Sequence, residues 1–266
     1  MKTHPFPNKS SFEGFQPSSI ASVFQRQLVA PALYRNGLPF IPHETQGIII
    51  PVELASSHIR VYVHIPTADL PEAATASIKV RALDGSAGFA SESLPISPPE
   101  LMIIEVPQEH LKLFAGKELA IRYFVELHNE EPVGSDELFA KVTSPLVYTP
   151  PIVEGLIDSK LKVSDYPNGL DVDEAIIENL EYPSVVRCLW VVSIRLDNGE
   201  VVSLYDLLQS VPAAPGSPYR FRIPAQAYTG FPAEAECRCT VSVDFAPHDP
   251  EAQTYGVGGY EFRFIE

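Results

Sequence analysis

Basic residues are scarce in this chain: 19 Lys and Arg stand against 34 Asp and Glu, a formal net charge of −15. A body this acidic repels phosphate backbones and anionic membrane surfaces. No nucleic-acid partner is expected, and the charges it would attract are those of a basic protein or a divalent cation. No apolar run approaches the ~18 residues of a membrane span, so membrane insertion is not expected. The first fifteen residues lack the apolar core of a secretory signal, which points to a cytoplasmic protein, with non-classical export left open. Cysteine is rare: Cys188, Cys237 and Cys239 are all there are. An odd count at strand-like positions fits a reducing compartment and supplies no disulfide framework. No H-E-x-x-H, P-loop, G-x-G-x-x-G or G-x-S-x-G motif occurs, and the seven histidines are scattered. Nucleophilic and metal-hydrolytic chemistry therefore has no motif to stand on, and no enzyme is expected.

Proline, by contrast, is abundant at 26 residues. Proline stops helices and marks strand edges and turns, so the composition favours an all-β chain. Period-two alternation agrees. Val61, Val63 and Ile65 alternate with Arg60, Tyr62 and His64, and Ile121, Tyr123, Val125 and Leu127 with Arg122 and Glu126. The pattern then comes a second time. Val106-Pro107 has its counterpart in Ile223-Pro224, and Ile121 to Leu127 in Cys237 to Val243. Two such units describe two β-sandwiches. We place a tail over residues 1–30, a first sandwich over 31–147 and a second over 148–266. A short helix in the tail would be capped by Ser18 or Ser19. Asp84-Gly85 and Asn198-Gly199 read as hairpin turns, with positive φ expected at Asn198-Gly199. Residues 171–181 are ambiguous between a strand and one helical turn.

The repeated pattern resembles the immunoglobulin-like repeats of bacterial, pseudomonad-type proteins. The residues that carry the likeness are Val186-x-Cys188-x-Trp190, Phe221-x-Ile223-Pro224 and Cys237-x-Cys239-x-Val241 in the second unit. In the first they are Ile78-x-Val80-x-Ala82, Ile104-x-Val106-Pro107 and Ile121-x-Tyr123-x-Val125. The first unit departs by placing Ala82 where tryptophan would sit, and the second by placing Cys239 where tyrosine would sit. The resemblance implies two tandem immunoglobulin-like domains that act as spacers, adhesion modules or partner-binding modules. It brings no catalytic residue.

Candidate binding groups are therefore sought at loop tips and in acidic clusters. The last hairpin of the first unit carries His128, Glu130, Glu131 and Asp136, and that of the second His248, Asp249 and Glu251. Carboxylates on such loops could hold calcium. Asp171, Asp173 and Glu174, with Glu178 and Glu181, form an acidic run without a basic neighbour in sequence, which suits a basic partner protein. The first reading is a non-enzymatic accessory protein that binds another protein. The alternative is cell-surface or carbohydrate recognition, with Tyr182, Tyr205, Tyr219 and Tyr228 as a candidate aromatic platform. Trp190 is read as a core anchor, and the three cysteines as small buried hydrophobes.

Overall fold

A computed structural model describes residues 27–71, 73–127, 131–180, 184–212, 218–249 and 254–265. The proposed tail helix lies outside them. Alternation becomes strand throughout. The first unit contains β1 (Ala32–Arg35), β2 (Leu38–Pro39), β3 (Ile48–Ile50), β4 (Val61–Ile65), β5 (Thr75–Ala82), β6 (Gly88–Ala90), β7 (Leu94–Pro95) and β8 (Met102–Val106). The helix α1 (Gln108–Leu113) follows, then β9 (Glu118–Glu126), β10 (Val133–Gly134) and β11 (Leu138–Val142). The second unit has β12 (Val147–Tyr148), β13 (Ile152–Val153), β14 (Leu156–Ile157), β15 (Lys160–Lys162), β16 (Leu170–Ala175), β17 (Ile177–Glu178), β18 (Val185–Arg195), β19 (Val201–Pro212), β20 (Tyr219–Ile223), β21 (Glu236–Asp244) and β22 (Thr254–Ile265).

The two units repeat one topology. In the first, β2-β1-β4-β8 faces β3-β11-β9-β5-β6, with β3 parallel to β11. In the second, β13-β16-β20 faces β14-β15-β22-β21-β18-β19, with β15 parallel to β22. Side chains from the facing sheets interdigitate into two hydrophobic cores, one drawn from residues 33–142 and the other chiefly from 153–262. This is an all-β architecture of two tandem sandwiches of the immunoglobulin-like type. The repeated Val/Ile-Pro steps do the same work in both. Pro107 caps α1, and Pro224 caps a single 3-10 turn at Ala225–Ala227, because proline suits the extended residue that precedes a helical turn.

Register refines the internal alignment. Ile78 lies opposite Tyr123, and Trp190 lies opposite Cys239. If Tyr123 and Cys239 correspond, Ile78 occupies the place of Trp190, and Ala82 lies beside the hairpin turn instead. Trp190 is fully buried and donates its indole N–H to the Ala227 carbonyl at 2.8 Å. The β18–β19 turn carries positive φ at Gly199 (+86°) but not at Asn198. Gly199 N–H donates to Leu196 O, and Leu196 N–H to Glu200 O, which is a three-residue loop rather than a two-residue one. The Asp84-Gly85 turn is one residue longer: Gly85, at +74°, donates its N–H to Ala82 O, and Ala82 N–H donates to Ala87 O. Residues 170–175 resolve as strand β16, bulged between Val172 and Ala175 where it pairs with β20.

The run Ile48-Ile49-Ile50 has a structural reason. Ile48 and Ile50 enter the first core, whereas Ile49 enters the second. A strand buried on both faces reads as continuous apolar sequence rather than alternation. Tyr255 likewise packs against both cores. Around these residues lies a polar junction. Arg35 Nη2 donates to Asp249 Oδ2 at 2.7 Å, with both side chains almost wholly buried (7% and 1% exposed). Ile41 N–H reaches the same carboxylate oxygen, and His248 Nε2 meets the Ile41 carbonyl at 2.9 Å. Glu53 accepts from the Leu146 amide at 3.2 Å, and burial raises its pKa.

Candidate functional site

The structure distributes the sequence-predicted binding residues widely. His128, Glu130 and Glu251 lie outside the described residues, as does Tyr182. Glu131 is exposed. Asp136 accepts from the Gln27 side chain at 2.7 Å, and its amide donates to the Leu28 carbonyl, so it anchors the start of the described chain on the first sandwich. His248 and Asp249 do not form an open loop tip: the loop turns towards the first domain, and Asp249 is inside the junction with Arg35. His43 meets His248 edge-on at 5.0 Å between ring centres.

The acidic run is matched across space. Asp171 pairs with Arg222 at 2.9 Å, and Asp173 with Arg220, both arginines coming from β20. Antiparallel pairing sets Asp171 opposite Arg222, so a stretch with no basic neighbour in sequence acquires two. Glu174 belongs to the same strand, and Glu178 is exposed on β17. Among the described residues, no three His, Cys, Asp or Glu side chains converge as a metal site.

The aromatic platform does not assemble. Tyr219 and Tyr228 are core residues at 4% and 1% exposure, and the Tyr228 hydroxyl donates to the Tyr166 carbonyl. Tyr205 is half-buried. The cysteines are buried free thiols, with Cys188 and Cys239 sulfurs 4.0 Å apart. The Cys188 contact and burial push the Cys239 thiol pKa well up, and burial does the same at Cys237. Metal binding and nucleophilic attack both need the thiolate, which this environment disfavours.

What the structure leaves open is an edge. Strand β19, 12 residues long, ends its sheet, and among the described residues no strand pairs with its outer side. The other terminal strands of the two sandwiches, β2, β8, β3, β6, β13, β20 and β14, run from two to five residues. Leu204 and Leu208 on β19 are 38% and 56% exposed, and Leu189 beside Leu208 on β18 is 39% exposed. Asp206 is the single charged residue on the strand. Edges of this length are usually guarded by lysine, proline or a bulge. Here there is a bulge near Leu204 and a terminal Pro212, and Gln209 reaches across to the Arg222 carbonyl of the opposing sheet at 2.8 Å. Sequence reasoning did not single this strand out, although the near absence of charge from residue 201 to 212 was the available signal.

No family model and no curated protein matches the chain. Similar solved structures include a Ca2+-stabilized adhesin that helps an Antarctic bacterium reach out and bind ice. It is 11% identical with a TM-score of 0.30, covering 90% of this chain and 50% of that one. The FN1-FN3 domains of chicken CNTN1 are 7% identical with a TM-score of 0.38, covering 90% and 66%. A tetra-tandem repeat from the extending region of a large adhesion protein is 9% identical with a TM-score of 0.29, covering 89% and 50%. The chain thus spans half to two-thirds of the structures it matches, and likenesses this distant carry no functional argument.

Proposed function

We propose that the chain is a non-enzymatic binding module in which two tightly joined sandwiches present strand β19 to a partner protein. The partner would add a strand of its own to the six-stranded sheet. The outer side of β19, with which no strand pairs among the described residues, carries this reading. Twelve residues at ~3.3 Å each give an edge of roughly 40 Å, with alternate backbone groups free to pair. Main-chain hydrogen bonds would supply affinity, and side chains covering Leu204, Leu208 and Leu189 would supply selectivity. The net charge of −15 favours a basic partner by raising its encounter rate.

Selection of displayed ten-residue peptides against the intact chain tests the proposal, with the variant Leu204→Lys/Leu208→Lys as the comparison. Lysine on an edge strand is a natural guard against strand addition, and both sites are exposed enough to keep the fold. The expected peptides alternate apolar with polar or basic residues and lose most of their affinity for the variant. Peptides that bind both proteins equally would overturn the reading.

A further inference from the structure

A second surface stands apart from β19, on the outer face of the β5–β9 pair in the first sandwich. Lys79 on β5 lies directly opposite Arg122 on β9. Like charges facing each other across antiparallel strands are unfavourable. In a chain with 34 acids and 19 bases this opposition is unexpected. Most other strand arginines are matched by carboxylates, among them Arg81 by Glu137 at 3.0 Å, Arg222 by Asp171, and Arg263 by Glu236. Among the described residues, neither Lys79 nor Arg122 has a carboxylate within ion-pair distance. On β9 the acids of that face, Glu118 and Glu126, lie four residues to either side of Arg122, about 13 Å along the strand, and Glu137, next to the Leu138–Ile121 pair, is taken by Arg81.

The pair is also built in place. Arg122 Nε donates to the Ser135 carbonyl at 2.7 Å, and its guanidinium lies 5.6 Å from the centre of the Phe124 ring. Gly134 closes the far side. A Cβ there would come within 2.7 Å of Arg122 Nη2 and 3.1 Å of Phe124 Cε1, so a side chain at this position would push the guanidinium from its place. Ser135 is itself buried, and its hydroxyl accepts from the Tyr123 amide at 3.1 Å. Lys79 Nζ stands over the same Phe124 ring at 4.7 Å. One aromatic ring therefore gathers two cations, one held by a hydrogen bond and one exposed, while the terminal nitrogens of Arg122 make no hydrogen bond among the described residues.

We infer that Lys79, Arg122 and Phe124 form a seat for a single oxyanion, a carboxylate or a sulfate- or phosphate-type group. A planar guanidinium held at Nε offers its outer nitrogens to two oxygens, and the lysine supplies a second charge-assisted bond. The acidic body selects against polyanions, so the oxyanion belongs to a small molecule or to one side chain of a partner.

NMR titration of the full chain with sodium sulfate, and separately with an N-acetylated glutamate amide, tests this against sodium chloride at matched ionic strength. Saturable shifts at Arg122 Nε–H and at the Phe124 and Gly134 amides are expected with at least one probe. The tighter probe identifies the source of the oxyanion. In Arg122→Gln and in the exposed-site variant Lys79→Gln, binding should weaken by about tenfold or more. Shifts that match those in chloride, or that persist in both variants, would overturn the assignment. Lys79→Gln keeps the test alive if Arg122→Gln does not fold. In anion-free buffer Lys79→Gln should also melt no lower than the parent, because it relieves an opposition of like charges.

Discussion

Replacing Asp249 by alanine would strand a guanidinium in the interior. Arg35 comes from the first sandwich and Asp249 from the β21–β22 connection of the second, and both side chains are almost fully buried. Arg35 already has Nε buried without a hydrogen-bond partner and leans on the Phe40 ring at 4.9 Å, so it has little else to bind. Breaking a buried pair by removing one member costs about 3–5 kcal/mol, because the remaining charge stays desolvated. For a chain of this size each kcal/mol moves the melting temperature by roughly 2–4 °C, giving a fall of ~6–20 °C for Asp249→Ala. Calorimetry should also show one transition resolving into two, since the pair ties one domain to the other. The double variant Arg35→Met/Asp249→Leu removes both charges and should recover most of the loss. A change for Asp249→Ala within about 0.5 kcal/mol of the parent, the range of ordinary surface substitutions, would refute the reasoning.

Other outcomes follow from the same geometry. Trp190→Ala should cost ~3–5 kcal/mol by urea unfolding, and the parent's tryptophan emission should shift to the red on unfolding, because Trp190 is fully buried. Glu53 has its pKa raised by burial, so its charged form weighs against folding at neutral pH. That weight sets in as pH rises above the ordinary value of 4.5 and is complete above the folded-state pKa. Glu53→Gln keeps an acceptor for Leu146, so by melting temperature it should be at least as stable as the parent at pH 7, with the difference closing as pH falls below 4.5. The three buried thiols should resist a thiol reagent in the native protein and react together in guanidinium; rapid native labelling would contradict the burial at Cys188, Cys237 and Cys239.

Much of this protein was decided by the sequence alone, and the reason is local. Alternation, proline and hairpin glycines act within a few residues of themselves. They specified an all-β chain, its repeated unit with its Val/Ile-Pro steps, the hairpin sites and the burial of Trp190. Only tertiary structure decided the matters that depend on partners distant in the chain. Asp171 and Asp173 look unopposed until β20 brings Arg222 and Arg220 beside them. Asp249 looks like a loop-tip ligand until the second sandwich docks and sets it on Arg35, 214 residues away. Tyr219 and Tyr228 look available until the sheets close over them. The opposition of Lys79 to Arg122 and the free edge of β19 are likewise facts of pairing. A residue's face can be read from its own strand, but its neighbour depends on register and strand order, which the packing of the two cores selects.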